Sequence, residues 1–335
     1  MVRSGRRSAL LGVFIGLLST LVAVWIIASK FGDGFPRVVD YWPLLAGVGV
    51  AVAGWVVQGL IMYVLARPQL TDGGTNPLEM VRIYLAAAFV GNVSPIRGAE
   101  IPYEVYLLKR RTGLPVGIGG GVVFTRGMLN SSVIGAASLV GVFFFSGLTH
   151  LSPGEFFAAL ALLVGVWAFV GWLVRRTSGH GEERPRGGGV LSRFLGLYRE
   201  LREGFAQVWR QGPLVIAACV LLMALYWALR LAIGPLALMA AGWDGNWLPV
   251  IVAQMIITSF IIPITPTPGG SGGAELSFAA LISSLVQPTM LLSGVLIWRG
   301  LTYFLILLAG AFFVGWMHFH HGGEGPGVDG APGLR

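Results

Sequence analysis

Charged side chains are what this chain has least of. Asp, Glu, Lys and Arg make up 11% of its 335 residues, against about a quarter in an ordinary soluble domain. That excludes the usual water-soluble surface. A single cysteine, Cys219, lies in an apolar run, so no internal disulfide can form and cysteine usage does not report the redox compartment. No Asp, His or Lys falls in the interior of a long apolar run, and no GxxxxGK[ST] loop is present. A nucleotide-driven machine of that kind and an intramembrane active site built on those side chains both lack support.

Apolar sequence is abundant, at 55% of residues. Several stretches exceed the roughly 20 apolar residues that cross a bilayer core. The expected fold is an all-α polytopic membrane protein with six transmembrane spans, near 8–30, 42–66, 115–146, 153–175, 213–242 and 289–318. The apolar run from Ala9 to Ser29 is longer than the roughly 7–15 residues of a signal-peptide core. It reads as a first transmembrane helix that also anchors the chain.

Two more apolar segments, 79–112 and 247–286, are interrupted near their middles by NVSPIRGAE (92–100) and PITPTPGGSGGAE (263–275). Each reads as two half-helices joined by irregular backbone, a re-entrant hairpin. Loop charge agrees. VRSGRR at the start, LLKRR (107–111) and RRTSGHGEERPR are basic, whereas FGDGFPRVVD, GLTHLSPGE and AGWDGNW share one arginine. If each hairpin returns to its own side, the positive-inside rule places both termini in the cytoplasm, in a cell membrane. If only one crossed fully, the bias of the later loops would invert. The net charge of +8 then points to anionic lipid headgroups and not to nucleic acid. HFHH (318–321) is read as part of a solvated tail, 319–335, so no metal and no cofactor are expected. Residues 191–211 carry an apolar face with basic residues elsewhere, the pattern of an interfacial amphipathic helix.

The two halves answer each other. Trp55 and Trp227, Glu100 and Glu275, and Arg126 and Arg299 match at offsets of 172, 175 and 173. In the expected topology the matched segments run in opposite senses, giving an inverted repeat, 42–146 and 213–318, joined by 153–212. Inverted repeats with broken helices at the substrate site are a recurrent transporter construction.

Arg126, Arg230 and Arg299 lie within spans, and Glu100 and Glu275 at the hairpins. A charge near the midplane costs about 2.5–3.5 kcal/mol on insertion scales, so these groups must pair, face water or neutralise. Glu100 with Arg126 and Glu275 with Arg299 are the expected pairs, and Arg230 has no partner in this scheme. The pairs either lock the hairpins or line a polar recess whose arginines take an anion, since the guanidinium fork suits phosphate. Around the breaks, Asn92, Ser94, Thr265, Thr267 and Ser271 could touch a ligand or satisfy local backbone. Gly269 and Gly270 permit the turn, and freed N–H groups there make a small positive pocket.

At these residues the chain resembles the lysylphosphatidylglycerol synthase transmembrane-region (UPF0104) family. PITPTPGGSGGAELSFAAL (263–281) is similar to its Pro-Gly-Gly-x-Gly-x-x-Glu signature. SPIRGAEIPYEVYLLKRR (94–111), which contains Arg97, resembles its first signature, Pro-x-Arg-x-Gly-Glu followed by an Arg. Ala99 is inserted before Glu100, Tyr103 stands where that Arg is usual, Thr125 replaces the Glu of a Glu-Arg pair, and Asn130 replaces an acidic residue. The resemblance implies a module like the flippase part of the multiple peptide resistance factor. With about 17 residues after the last expected span, no synthase domain is expected. The departures weigh against carrying over a preference for a cationic headgroup and leave phosphate recognition in place.

The leading expectation is a non-enzymatic flippase for an anionic phospholipid or polyprenyl-phosphate-linked lipid. Its headgroup would be held by Arg97, Arg126, Arg230, Arg299, Glu100 and Glu275, with the hydroxyl and glycine positions named above. Any drive would be a proton on Glu100 or Glu275, or the lipid's own imbalance. The alternative function is a non-catalytic membrane partner or scaffold of a lipid-modifying enzyme, and an intramembrane phosphatase or transferase comes last. The partners expected besides the lipid are a second copy of the chain, in a homodimer, or a separate lipid-modifying enzyme.

Overall fold

The computed structural model describes residues 2–31, 37–70, 76–94, 98–145 and 190–319, with 161, 165 and 172. Apart from 161, 165 and 172, the expected span 153–175 lies outside the described residues, as do Arg97 and the expected tail 319–335 beyond residue 319. Every regular element among the described residues is a helix. They are α1 (Val2–Phe31), α2 (Tyr41–Ala66), α3 (Pro77–Val93), α4 (Glu100–Thr112), α5 (Val116–Phe145), α6 (Val190–Trp209) and α7 (Pro213–Ala240). After these come α8 (Trp247–Ile264), α9 (Gly273–Ile282), α10 (Pro288–Arg299) and α11 (Leu305–Phe319). A π-helical turn, Gly300–Phe304, joins α10 to α11 without a break.

Helix starts follow local chemistry. Asp40 accepts from Trp42 N at 2.9 Å, Asn76 from Leu78 N at 2.6 Å and Asn246 from Leu248 N at 3.0 Å. Each side chain satisfies one of the free N–H groups that a helix start exposes. α4 ends at Gly113 in the left-handed region, φ 73°, after Lys109, Arg110 and Arg111, which suit the negative end of its dipole.

Among the described residues, Tyr41–Gln69, Pro213–Ala240, Trp247–Ile264 and Pro288–Met317 are long and apolar enough to cross a membrane. α5, with 30 residues, is about 45 Å long at 1.5 Å per residue. The length of α8 differs from expectation. At 18 residues it can cross by itself, although 247–264 was read as half of a hairpin. It gains that length by running through a π-helical turn, Ile257–Ile261, just before Pro263, whose missing N–H breaks the regular ladder.

α2 and α7 form the most extensive contact. Pro235 sits inside α7 and cannot donate to Leu231 O four residues back. Gln254 of α8 fills that role, donating Nε2 to Leu231 O at 2.6 Å, while its Oε1 accepts from Trp298 Nε1 at 3.0 Å. Gly234 is the close-approach point; any Cβ there would collide with the Gln254 amide. The amphipathic segment is helical as expected, but it is docked on protein. Gly204 of α6 lies against the Gly117 backbone and Gly121 against the Gly204 backbone, with Phe205 and Val208 buried. Small residues let the two helices come that close.

One end of α3, α4 and α11 is clasped by charge. Glu79 binds Arg82 at 3.0 Å and Arg111 at 2.6 Å. Both guanidiniums stack on Trp316, 4.6 and 5.3 Å from the ring centre.

Candidate functional site

The second break is built around a buried ion pair. After α8, Thr265 and Thr267 are extended, and Gly269 and Gly270 take φ of 58° and 68° before Gly272 at 85°. Only glycine adopts such angles without cost. α9 then opens at Gly273, with Glu275 folding back so that Oε2 accepts from Gly272 N at 2.8 Å. Its other oxygen faces Arg299 of α10: Nε lies 2.8 Å from Oε1. That approach is an ion pair whose N–H is not aimed to make a hydrogen bond. The Arg299 Nη2 donates to Gly269 O at 3.0 Å and Ser271 Oγ at 2.8 Å. The guanidinium rests 4.0 Å above the Tyr303 ring. Both side chains are almost fully enclosed, at 3% and 0% exposure.

α1 completes this cluster. Thr20 Oγ1 donates to Glu275 Oε1 at 2.9 Å, and Gly16 leaves room for Tyr303, Pro268 and Ser271. The sequence marks α1 as a first transmembrane helix and anchor, with no part in the site. A lone Thr in an apolar run carries no signal of its own, so its role was invisible.

The first break has a different pairing. Glu100 was expected to hold Arg126; instead Glu104, one helical turn further along α4, does so. Arg126 Nη2 donates to both carboxylate oxygens of Glu104, at 2.8 and 2.6 Å, and Nη1 donates to Gln58 Oε1 at 3.0 Å. Tyr84 of α3 lies under the guanidinium at 5.3 Å. Glu100 is exposed at the first residue of α4, with its carboxylate beside Gly91. Position explains the change. Glu275 is the third residue of its helix and can turn back to the break, whereas Glu100 is the first residue of α4 and lies exposed against Gly91 of α3. The signal for Glu104 was its i, i+4 spacing from Glu100, which puts both on one face.

The two breaks meet. Tyr303 Oη donates to Asn92 O at 3.3 Å, and Gly269 packs on the Tyr303 ring, with Asn92 Oδ1 within 3.0 Å of where a Cβ would stand. Asn92 Nδ2 donates to Ala88 O at 2.8 Å. The hydroxyls of the second break serve backbone: Thr265 donates to Ile261 O, Thr267 to Ser271 O and Ser271 to Pro268 O. Ser94 ends α3, its backbone N–H donating to Val90 O at 3.0 Å. Asn130 is half-buried on α5. Among the described residues no group of three or more His, Cys, Asp or Glu could hold a metal. Arg230, on α7, is half-buried and lines a recess between α2 and α7 with Gly54, Trp55 and Tyr226.

Comparison with known proteins covers almost the whole chain. The family model described as lysylphosphatidylglycerol synthase TM region matches residues 10–310. A curated relative from Archaeoglobus fulgidus, a UPF0104 membrane protein, is 25% identical over 322 residues, 91% of this chain and 95% of its own.

Proposed function

This chain belongs to the lysylphosphatidylglycerol synthase transmembrane-region family, and from that premise we propose that it is a flippase. Its cargo would be an anionic phospholipid or polyprenyl-phosphate-linked lipid, whose headgroup passes the two breaks while its tails stay in the bilayer. The observation that carries the reading is the meeting of the breaks, each with a buried Arg–Glu pair beside it. Irregular backbone at membrane depth is tolerated where it lies against protein or water, and a charged headgroup needs such a place. We read the topology as six spans and two re-entrant hairpins in an inverted repeat, with both termini cytoplasmic.

In this reading the structure is a closed state. Glu104 and Glu275 occupy the arginines, and Tyr84 and Tyr303 cover them. Opening of one half against the other would let an arriving anion compete with the carboxylate for each guanidinium. A ligand shifts such an equilibrium only by binding one state better than the other, and a headgroup phosphate does so by replacing the glutamate. Chemistry on the lipid is no part of the proposal.

Reconstitution in vesicles with fluorescent anionic lipid tests it. Leaflet exchange by the wild type, lost in Arg299→Ala and Arg126→Ala variants that still insert and fold, is the expected outcome; wild-type exchange in both variants overturns the proposal. The completeness of both ion pairs favours one rival, a rigid partner for a separate lipid-modifying enzyme. That rival predicts no exchange by any form of the protein.

A further inference from the structure

The span built from α10 and α11 is pinned on both sides of its middle. In α10 the Trp298 ring stacks on Phe278 with centroids 4.3 Å apart, and its Nε1 is held by Gln254. In α11 Gly310 packs on the Leu85 backbone of α3, and Trp316 stacks with Arg82 and Arg111. Between them Gly300–Phe304 is π-helical, with Leu305 N donating to Gly300 O. Gly300 N–H is shared between Leu296 O and Ile297 O, and the Thr302 hydroxyl donates to Trp298 O at 2.7 Å. Side chain and backbone thus compete for the carbonyls that a regular ladder would fill one by one.

Two features single this turn out. A Cβ on Gly300 would meet no atom within 4 Å, so packing does not call for glycine there. Glycine inside a helix weakens it relative to alanine, and here that freedom falls where the π-turn opens, next to Arg299. The turn also carries Tyr303, whose ring covers the Arg299 guanidinium at 4.0 Å. The seat of that ring is smooth. Gly269 and Gly16 line it, and a Cβ on either would press on Tyr303. At its outer end the Oη bond to Asn92 O is 3.3 Å, long for an O–H···O contact.

A π-turn carries one residue more than the α-ladder around it, and such turns recur at functional sites. When it moves along the helix, each residue it passes turns by about 100°, the angular step per residue, while the pinned flanks keep their register. The π-turn of α8 is tied more firmly, since its Ser259 hydroxyl lies 2.7 Å from the Ser138 hydroxyl of α5. We infer that Gly300–Phe304 is a movable turn that takes the Tyr303 ring off Arg299, so that Tyr303 controls access to this guanidinium. The Glu275–Arg299 pair stays in place, and only its cover changes. What the uncovered arginine receives rests on the lipid-handling reading above; the motion does not.

The test uses the full chain in phospholipid vesicles. It follows amide hydrogen exchange of the turn, modification of Arg299 by phenylglyoxal, and leaflet exchange of fluorescent anionic lipid. Gly300→Ala should leave the melting temperature unchanged or raised. It should slow amide exchange and Arg299 modification about fivefold, the factor that the helix-propensity difference between the two residues corresponds to. Tyr303→Ala should speed Arg299 modification, and adding Gly300→Ala should not slow it again. Under the flippase reading, Gly300→Ala also slows leaflet exchange. Amide exchange and Arg299 modification at wild-type rates in Gly300→Ala overturn the inference. Should that variant fail to fold, a wild-type rate of modification in Tyr303→Ala overturns it. Slowed modification with wild-type leaflet exchange overturns it too, because lipid then passes a closed cover. Slowed modification in Gly300→Ala, when even the wild type exchanges no lipid, leaves the movable turn standing and removes the flippase reading.

Discussion

The two breaks solve one problem with different degrees of closure. At the second, Glu275 accepts from Thr20 and Gly272 and pairs with Arg299, and neither charged side chain exceeds 3% exposure. At the first, Glu104 takes both hydrogen bonds from one Arg126 nitrogen, and Arg126 keeps 15% exposure. A spare carboxylate, Glu100, remains outside. The second site is a finished internal knot assembled from α1, α9 and α10. The first is a simpler fork lying beside an exposed acid. The ion pair at the first break therefore uses an acid one helical turn further from the break than the second does, and the difference assigns the rigid role to the second break and the reachable carboxylate to the first.

Substitution can break that contrast. Removing one member of a buried ion pair typically costs about 3–5 kcal/mol, because the other is left uncompensated. Arg299→Ala should fall in that range in unfolding measured in mixed detergent micelles, and Arg126→Ala below it, since that guanidinium is less enclosed, at 15% exposure against 3%. Equal losses would erase the distinction. Next in size is the choice between acids of the first half. Glu104→Gln should destabilise by about 2–3 kcal/mol, the order of a hydrogen bond to a charged group. Glu100→Gln should stay within about 0.5 kcal/mol, as exposed substitutions do. A reversal of those two would restore Glu100 as the partner of Arg126.

Smaller effects sharpen the contrast further out. Gln254→Leu should cost about 2 kcal/mol by orphaning Leu231 O beside Pro235 and freeing Trp298 Nε1, a penalty with no counterpart in the first half. Trp316→Ala should cost about 1 kcal/mol through lost stacking of Arg82 and Arg111. Its effect on leaflet exchange should exceed its effect on melting temperature if the clasp at the end of α3 and α4 restrains motion of the first half.

Much of the framework was readable from residues. The caps at Asp40, Asn76 and Asn246, the apolar runs, and both interruptions follow from side-chain chemistry at single positions. So does the Glu275–Arg299 pair, because a glycine-rich turn aims the third residue of α9 back at the break. Glu104 was missed because matching by offset favours Glu100, and an offset does not distinguish two acids one turn apart on a face. The rings under the arginines, Tyr84 and Tyr303, were hidden among 38 aromatic residues, where no spacing sets them apart. Docking of α6 through Gly117, Gly121 and Gly204 was also hidden, since glycine is common throughout and a close approach is visible only once both surfaces are placed.

Thr20 belongs to α1, at the start of the chain, yet its hydroxyl is part of the cluster at the second break. The halves are therefore not interchangeable modules. Co-expressing 42–146 and 213–319 as separate pieces would leave Glu275 short of a donor, whereas supplying 1–31 in trans should rescue assembly. The leading helix ties its fate to the more distant break, and any tag or processing that shifts α1 acts on a cluster more than 250 residues away in sequence.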